Sequence, residues 1–317
     1  MNHRERQWRM IDYFDIRYSK IYFKIQFPED AFLPREKVSM IRGGVGEMLL
    51  QQHCLSDRNC KNCRFQEDCP VPRIYYHPLK IKPAFVTSGE SLGYTWECFD
   101  KRTFIKAGDH LCFQLILFGN TIIYFQDILQ ALYNLGMVGM GRNHTGFQIV
   151  KVMNERKMSI LDQGNIYNKR ILISKVGEYI KRRNTPQKDT MRIRFFSPLS
   201  LKYQGRFLQE FQGAALIDAA VRRIYMINCM EGNDLEMPAN DKEPAVLQQN
   251  VKKVQVSRYS NTHRSHISLH GICGECVLED LSEEMIPFLI AGELVHIGKN
   301  TSMGFGKYKI IREVEVE

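Results

Sequence analysis

Two clusters in this chain of 317 residues have the residue types and spacing that chemistry needs. Cys54, Cys60, Cys63 and Cys69 follow a C-x5-C-x2-C-x5-C pattern inside a short segment rich in proline and charge. Four soft thiolates can surround a d¹⁰ ion tetrahedrally, with the central CxxC pair as the nucleus, so the expectation is a structural zinc site. An iron–sulfur cluster and four ordinary thiols are the alternatives. The second cluster is GKNTSMGFGKYKI, which begins at Gly298. A loop of this composition between an apolar helix-like run and a strand-like run offers bare backbone N–H groups and lysines, which suit a phosphate backbone. Gly298, Lys299, Gly304, Gly306 and Lys307 are therefore expected on an anion-facing surface. A turn that needs glycine for positive φ is the competing reading. A further CxxC pair, Cys273 and Cys276, sits in a strand-like run where the two side chains point to opposite faces, which argues against a metal.

Composition narrows the classes. The chain exceeds what one hydrophobic core serves, which predicts two domains. Forty-four Lys and Arg against 35 Asp and Glu give a net charge of +9, and the pI of about 9.0 favours a polyanionic partner. No apolar segment follows MNHRERQWRM, and no run approaches the roughly 18 apolar residues of a membrane helix, so a soluble cytoplasmic protein with no membrane partner is expected. Nine cysteines, an odd number without a secretion signal, argue for reduced thiols or a metal over a disulfide framework.

The elements that must position these clusters follow from periodicity. Residues 14–26 (FDIRYSKIYFKIQ) alternate as a half-buried strand. Residues 36–53 carry a helical stripe of Val38, Ile41, Val45 and Leu49, interrupted by Gly43, Gly44 and Gly46, which predicts a close approach to that helix. A turn and strand over 73–86, a strand over 108–118, a helix over 125–135 and a strand over 147–152 complete a β-α-β-β-α-β order, the ferredoxin-like one. A charged connector covers 153–190, with KRRNTPQK (181–188) as an exposed run. The order then repeats: a strand over 191–196, a helix over 208–227, strands over 251–259 and 265–278, a helix over 283–297 and a strand over 307–314. The predicted domains are 1–152 and 191–317.

The segment LIAGELVHIGKNTSMGFGKYKI resembles the C-terminal signature of the CRISPR-associated endoribonucleases that process repeat RNA, members of the RAMP superfamily with its glycine-rich loop. FFSPLSLKYQG, RYSNTHRSHISLHGICGEC and the GMGRNHTGF turn extend the likeness over most of the chain. The resemblance implies an α+β fold of two tandem ferredoxin-like (RAMP/RRM-like) domains, with a zinc-knuckle-like insertion in the first. It also implies a metal-independent endoribonuclease that processes CRISPR repeat transcripts into guide RNAs, with other CRISPR effector subunits as partners. In RNA the 2′-hydroxyl is the nucleophile, so the protein needs only to move protons and stabilise charge, and no catalytic cofactor is required. A non-catalytic RAMP subunit that binds guide RNA is the alternative. A zinc-dependent nuclease or deaminase would need an open metal site, whereas the cysteine cluster reads as closed.

By its place at the end of the first helix, where several members of that family carry their catalytic histidine, His53 is the implied general acid or base. His263, His266 and His144 are the reserves, and His53 could instead pack against the cysteine cluster. The RNA contacts expected are Arg42, from the Arg-Gly pattern in the first helix, and the basic residues Arg192, Arg194, Lys202, Arg206, Lys252, Lys253, Arg258 and Arg264. Tyr203 and Tyr259 are candidates for base stacking.

Overall fold

The computed structural model describes residues 12–60, 62–76, 79–86, 93–162, 164–183, 190–260 and 265–311. The chain divides into two units, one of Arg17–Ile173 with Arg258–Ser265 and one of Met1–Ile16, Ser174–Ser257 and His266–Glu317.

In the first unit β1 (Arg17–Gln26) buries Ile21, Phe23 and Ile25 while Lys20, Tyr22 and Lys24 stay half-buried, the period-2 pattern that fixes its register. After it come β2 (Ala31–Phe32), α1 (Val38–His53), α2 (Pro70–Tyr75), β3 (Tyr94–Glu97), β4 (Phe104–Ile105), β5 (His110–Phe118), α3 (Phe125–Val138), β6 (Gln148–Asn154), β7 (Ser159–Asp162) and β8 (Asn165–Ile166). The main sheet runs β3-β5-β1-β6-β7-β8, every adjacent pair antiparallel, while β2 and β4 form a separate ribbon. Its first four strands, read in chain order, are the ferredoxin-like arrangement. Both long helices turn their apolar stripes onto the Ile21, Phe23 and Ile25 face, and Phe23 stacks on Phe113 at 5.3 Å.

The second unit repeats the plan. It contains β9 (Ser174–Lys175), α4 (Val176–Arg183), β10 (Thr190–Leu199), the ribbon β11 (Lys202–Tyr203) with β12 (Arg206–Phe207), α5 (Gly213–Glu231), β13 (Ala245–Ser260), β14 (Ser265–Glu279), α6 (Ile286–Val295) and β15 (Tyr308–Ile311). The sheet order β13-β14-β10-β15 is again ferredoxin-like, so the fold is the tandem α+β arrangement expected.

Three segments differ from the expectation. Residues 70–75 are helical because Pro70 opens a helical turn at its first position, where a missing N–H costs nothing, so the strand expected over 73–86 is absent from its described part. The strand that does complete the first sheet is β3, whose four residues are all buried and show no alternation for a sequence reading to detect. The stretch expected as a connector carries β7, β8, β9 and α4, while 184–189 of its basic run lie outside the described residues.

Helix α4 belongs to the second core through one buried carboxylate. Glu293, fully buried in α6, accepts from Arg183 Nε and Nη2 at 2.6 and 2.8 Å, from the Tyr179 hydroxyl at 2.9 Å and from the Ile310 backbone N–H at 2.6 Å. Removing one partner of such a pair leaves a buried charge unmatched. Glu293→Ala should therefore destabilise the protein by about 3 to 5 kcal/mol, read as a lower denaturant midpoint at unchanged slope.

Candidate functional site

Arg42, on α1, is held by aromatics. Its Nε donates to the Tyr94 hydroxyl at 2.9 Å and its guanidinium lies 4.7 Å from the Tyr75 ring centroid. The glycines of α1 serve packing: a Cβ on Gly44 would stand 2.7 Å from Leu135 and one on Gly46 would stand 3.0 Å from the Tyr75 ring, whereas Gly43 faces open space.

At the C-terminal end of α1, His53 Nε2 stands 3.1 Å from Oδ1 of Asp127, in the first turn of α3, with the two side chains 28% and 31% exposed. A carboxylate beside one ring nitrogen holds the imidazole's orientation. Asp127 was missed in the sequence because nothing but the α1–α3 packing brings it to His53. Of the reserves, His144 is exposed in a left-handed turn (φ 51°), His266 lies on β14 with its side chain outside the described residues, and His263 lies outside them altogether.

His53 also lines a cavity of about 210 Å³ shared with Cys54, Cys60, Cys63 and Cys69, together with Phe65 and Asp68. The thiols are near enough to act on one another: burial, then Cys69, Cys54 and Cys63, push the Cys60 thiol up. They do not close the tetrahedral shell expected of them. Among the described residues no three His, Cys, Asp or Glu side chains converge on a metal position, and Cys54 Sγ instead donates to the Ser56 carbonyl at 3.6 Å. The second CxxC behaves as its strand geometry requires, with Cys273 half-buried against the Phe195 carbonyl at 3.2 Å and Cys276 buried, its thiol pushed up to about 12.

The glycine-rich loop corrects the anion-site expectation. Gly304, Gly306 and Lys307 are buried, and only Lys299 among the five is exposed. Lys307 Nζ donates to the Glu293 carbonyl at 2.6 Å, so its charge caps the C-terminal end of α6, where carbonyls lack helical partners. The Gly306 N–H is bonded to Pro198 O at 2.8 Å and the Lys299 N–H to Ser200 O at 2.7 Å. A Cβ on Gly306, where φ is 71°, would stand 1.8 Å from Ile297 O, and one on Gly298 would stand 2.7 Å from Ser200 O. These glycines are dictated by backbone-on-backbone packing and left-handed geometry.

Lys299 projects outward, its Nζ 5.6 Å from the centroid of Phe207, a half-exposed aromatic that the sequence reading passed over. Lys202 and Arg206 are exposed on the same ribbon, as are Lys252 and Lys253 on β13, and Tyr203 is half-buried. Arg194 donates to Glu275 through Nε at 2.9 Å and Nη2 at 2.7 Å, and Arg192 does so at 3.4 Å. The hydrogen bonds from Arg194 hold the Glu275 carboxyl below the usual carboxylate range. This pair of arginines thus shares one carboxylate. Arg264 and the Tyr259 side chain lie outside the described residues, and Arg258 is half-buried.

A family model of an N-terminal domain matches residues 16–176, and the model for the CRISPR-associated endoribonuclease Cas6 matches residues 193–308, the segment that holds the second sheet and the glycine-rich loop. Residues 193–308 thus form a Cas6-type domain. Solved Cas6 structures share its fold throughout. A Cas6 product complex aligns with a TM-score of 0.53 at 14% identity over 93% of this chain and 99% of that one. Thermus thermophilus Cas6 aligns with a TM-score of 0.52 at 12% identity, again over 93% and 99%. A partial Cas6-RT-Cas1–Cas2 complex aligns with a TM-score of 0.56 at 10% identity over 95% of this chain, which spans 47% of that one. No curated protein matches it. No helix among the described residues is long and apolar enough to cross a membrane.

If the contact to Asp127 orients His53, Asp127→Asn should slow single-turnover RNA cleavage by about 10- to 100-fold without changing RNA affinity. His53→Ala should cost about 10² to 10⁴. Equal rates for wild type and Asp127→Asn across pH would show that the carboxylate does not act through the histidine.

Proposed function

We propose that this chain, whose residues 193–308 match the Cas6 model, is a metal-independent endoribonuclease that cuts CRISPR repeat transcripts into guide RNAs in the cytoplasm. The observation that carries the reading is the His53–Asp127 pair at the end of α1, in a chain whose second unit matches the Cas6 endoribonuclease model. An imidazole can both accept and donate a proton, so His53 would take the 2′-hydroxyl proton or return one to the departing 5′-oxygen. Attack by the 2′-oxygen forms the new P–O bond as the P–O5′ bond breaks, leaving a 2′,3′-cyclic phosphate on one product and a 5′-hydroxyl on the other. Asp127 holds the ring in place and balances the charge it gains. Lys299, with Phe207 beneath it, supplies a phosphate contact beside a stacking surface, and the exposed cations of β11, β12 and β13 extend the basic face.

The assay is incubation of the pure protein with its repeat RNA. Cleavage at one position, unaffected by chelator and abolished by a single 2′-deoxy substitution at the nucleotide preceding the cut, is the expected outcome. Cleavage of the deoxy substrate would remove the mechanism. Tight binding without cleavage would make the chain an RNA-binding subunit.

The cysteine cluster is a separate, structural part of the proposal: the four thiols take one zinc ion that ties residues 54–69 to the end of α1. What supports it is the donor set, four soft sulfurs on one cavity next to His53. Protein made under reducing conditions should then carry about one zinc per chain, released by a thiol-modifying reagent with a fall in thermal stability. Protein with neither zinc nor iron by elemental analysis would reduce the cluster to free thiols.

A further inference from the structure

The GMGRNHTGF turn has no part in the cleavage mechanism above. Its backbone instead supports the β2–β4 ribbon of the first unit. The Arg142 N–H donates to Phe32 O at 2.9 Å, and the Thr145 hydroxyl donates to Asp30 O at 3.1 Å. Gly141, at φ 82°, allows this approach, since a Cβ there would stand 2.4 Å from Phe32 O. On the side of β4, Lys37 at the start of α1 donates through Nζ to the carbonyls of Asp100 and Arg102 at 2.9 and 2.6 Å. The ribbon is thereby held at the start of α1, whereas His53 ends that helix of 16 residues, about 24 Å further along its axis.

What this frame presents is a pair of aromatic rings. Phe32 and Phe104 stand opposite each other across the ribbon, 46% and 39% exposed, with centroids 5.1 Å apart and planes tilted by 42°. A cross-strand aromatic pair helps to hold two strands together. These strands are already tied down by backbone bonds to the turn and to α1, so two large rings left in water call for a further reason. The charges beside them supply one. Arg142 follows the glycine that packs on Phe32, Arg35 lies three residues beyond Phe32, and Lys106 falls on the Phe104 side of the alternation around buried Ile105; all three are exposed. None of the three has an ion-pair partner among the described residues, while the nearby carboxylates are engaged: Asp100 and Asp109 by Arg102, Glu36 by Lys101, and Asp30 by the Ala107 N–H.

Exposed rings flanked by unmatched positive charge suit an unpaired nucleotide, whose base offers a π-face and whose phosphate meets the cations. An apolar peptide would leave the cations unmatched, and a duplex would leave the rings idle. We propose that the β2–β4 ribbon is a second RNA contact, remote from the cleavage site, at which Phe32 and Phe104 stack an unpaired base of the bound strand while Arg142 and Lys106 hold its phosphates. That the strand is repeat RNA rests on the RNA-processing reading above, whereas the stacking platform itself does not.

The first arm of the test therefore uses no repeat. Phe32→Trp keeps a ring at the site and adds a fluorophore, and titration with unstructured oligoadenylate should quench its emission beyond any change in wild type. In the second arm repeat RNA is titrated over a salt series. Phe32→Ala with Phe104→Ala should bind about 5- to 100-fold more weakly at an unchanged log–log salt slope, Phe32→Trp should bind like wild type, and Arg142→Ala should lower the slope by about one phosphate's share. Repeats made abasic at one nucleotide at a time should include a position whose loss weakens wild type but not the double alanine variant. An affinity loss in that variant with no such position means the rings act only through the ribbon's stability and overturns the platform, as does the absence of both quenching and an affinity loss. Quenching by oligoadenylate with repeat affinity unchanged in the double variant overturns the repeat assignment and leaves a general nucleotide platform. Wild type that binds the repeat as predicted without cutting it leaves the platform standing and removes the endonuclease reading.

Discussion

The C-terminal unit depends on how the end of α6 is satisfied. A helix of ten residues leaves its last carbonyls without partners, and here nearly every one is met from elsewhere in the unit. Lys307 reaches the Glu293 carbonyl, Arg223 reaches that of Val295 at 3.1 Å, and the His296 N–H closes on Gly292 at 2.9 Å. The Glu293 side chain meanwhile binds α4 through Arg183 and β15 through Ile310. One residue thus accepts on both its main chain and its side chain, and the glycine-rich loop must follow the path that delivers Lys307 to it. The loop's backbone is spent on Pro198, Ser200 and Ile297 in keeping that path, which leaves Lys299 as its outward cation.

The same economy governs α1. A helix interrupted by three glycines is poor by propensity, each glycine costing about 1 kcal/mol against alanine. Two of them admit Leu135 and the Tyr75 ring to the backbone. The first contact seats α3, which carries Asp127, against the helix that ends in His53. The second seats the ring beneath Arg42. The glycines that weaken the helix are what allow one helix to present a histidine at its end and an arginine near its start in fixed settings.

Much of the fold was legible in the sequence. Alternation in β1, the helical stripe Val38, Ile41, Val45 and Leu49, and the repeated element order, together with the family resemblance, led to the tandem ferredoxin-like reading, although one strand of the first sheet was placed at 73–86 instead of at β3. What escaped was whatever lacked a period or depended on distant partners. β3 is buried on both faces and so shows no alternation, and α2 was hidden by prolines that read as breakers although they open it. At the site, the make-up of the glycine-rich loop drew attention to Lys299, and the family resemblance drew it to Arg42 and His53. That make-up could not separate Lys299 from Lys307, which look alike in sequence but lie outside and inside the loop, because burial is set by the chain crossing beneath them. Asp127 gave no local signal at all, its place beside His53 being created by helix packing.

The C-terminal unit begins with the first described residues of the chain. Tyr13 and Phe14 pack on the Phe288 ring at 5.7 and 4.8 Å, the Asn228 side chain donates to the Tyr13 carbonyl at 3.0 Å, and Gly177 donates its N–H to Phe14 O at 2.9 Å. Tyr13 and Phe14 are synthesised ahead of the whole first sheet, and Phe288, their ring partner, only after it. Tyr13 and Phe14, which stand ahead of β1, are thus part of the second unit's interior.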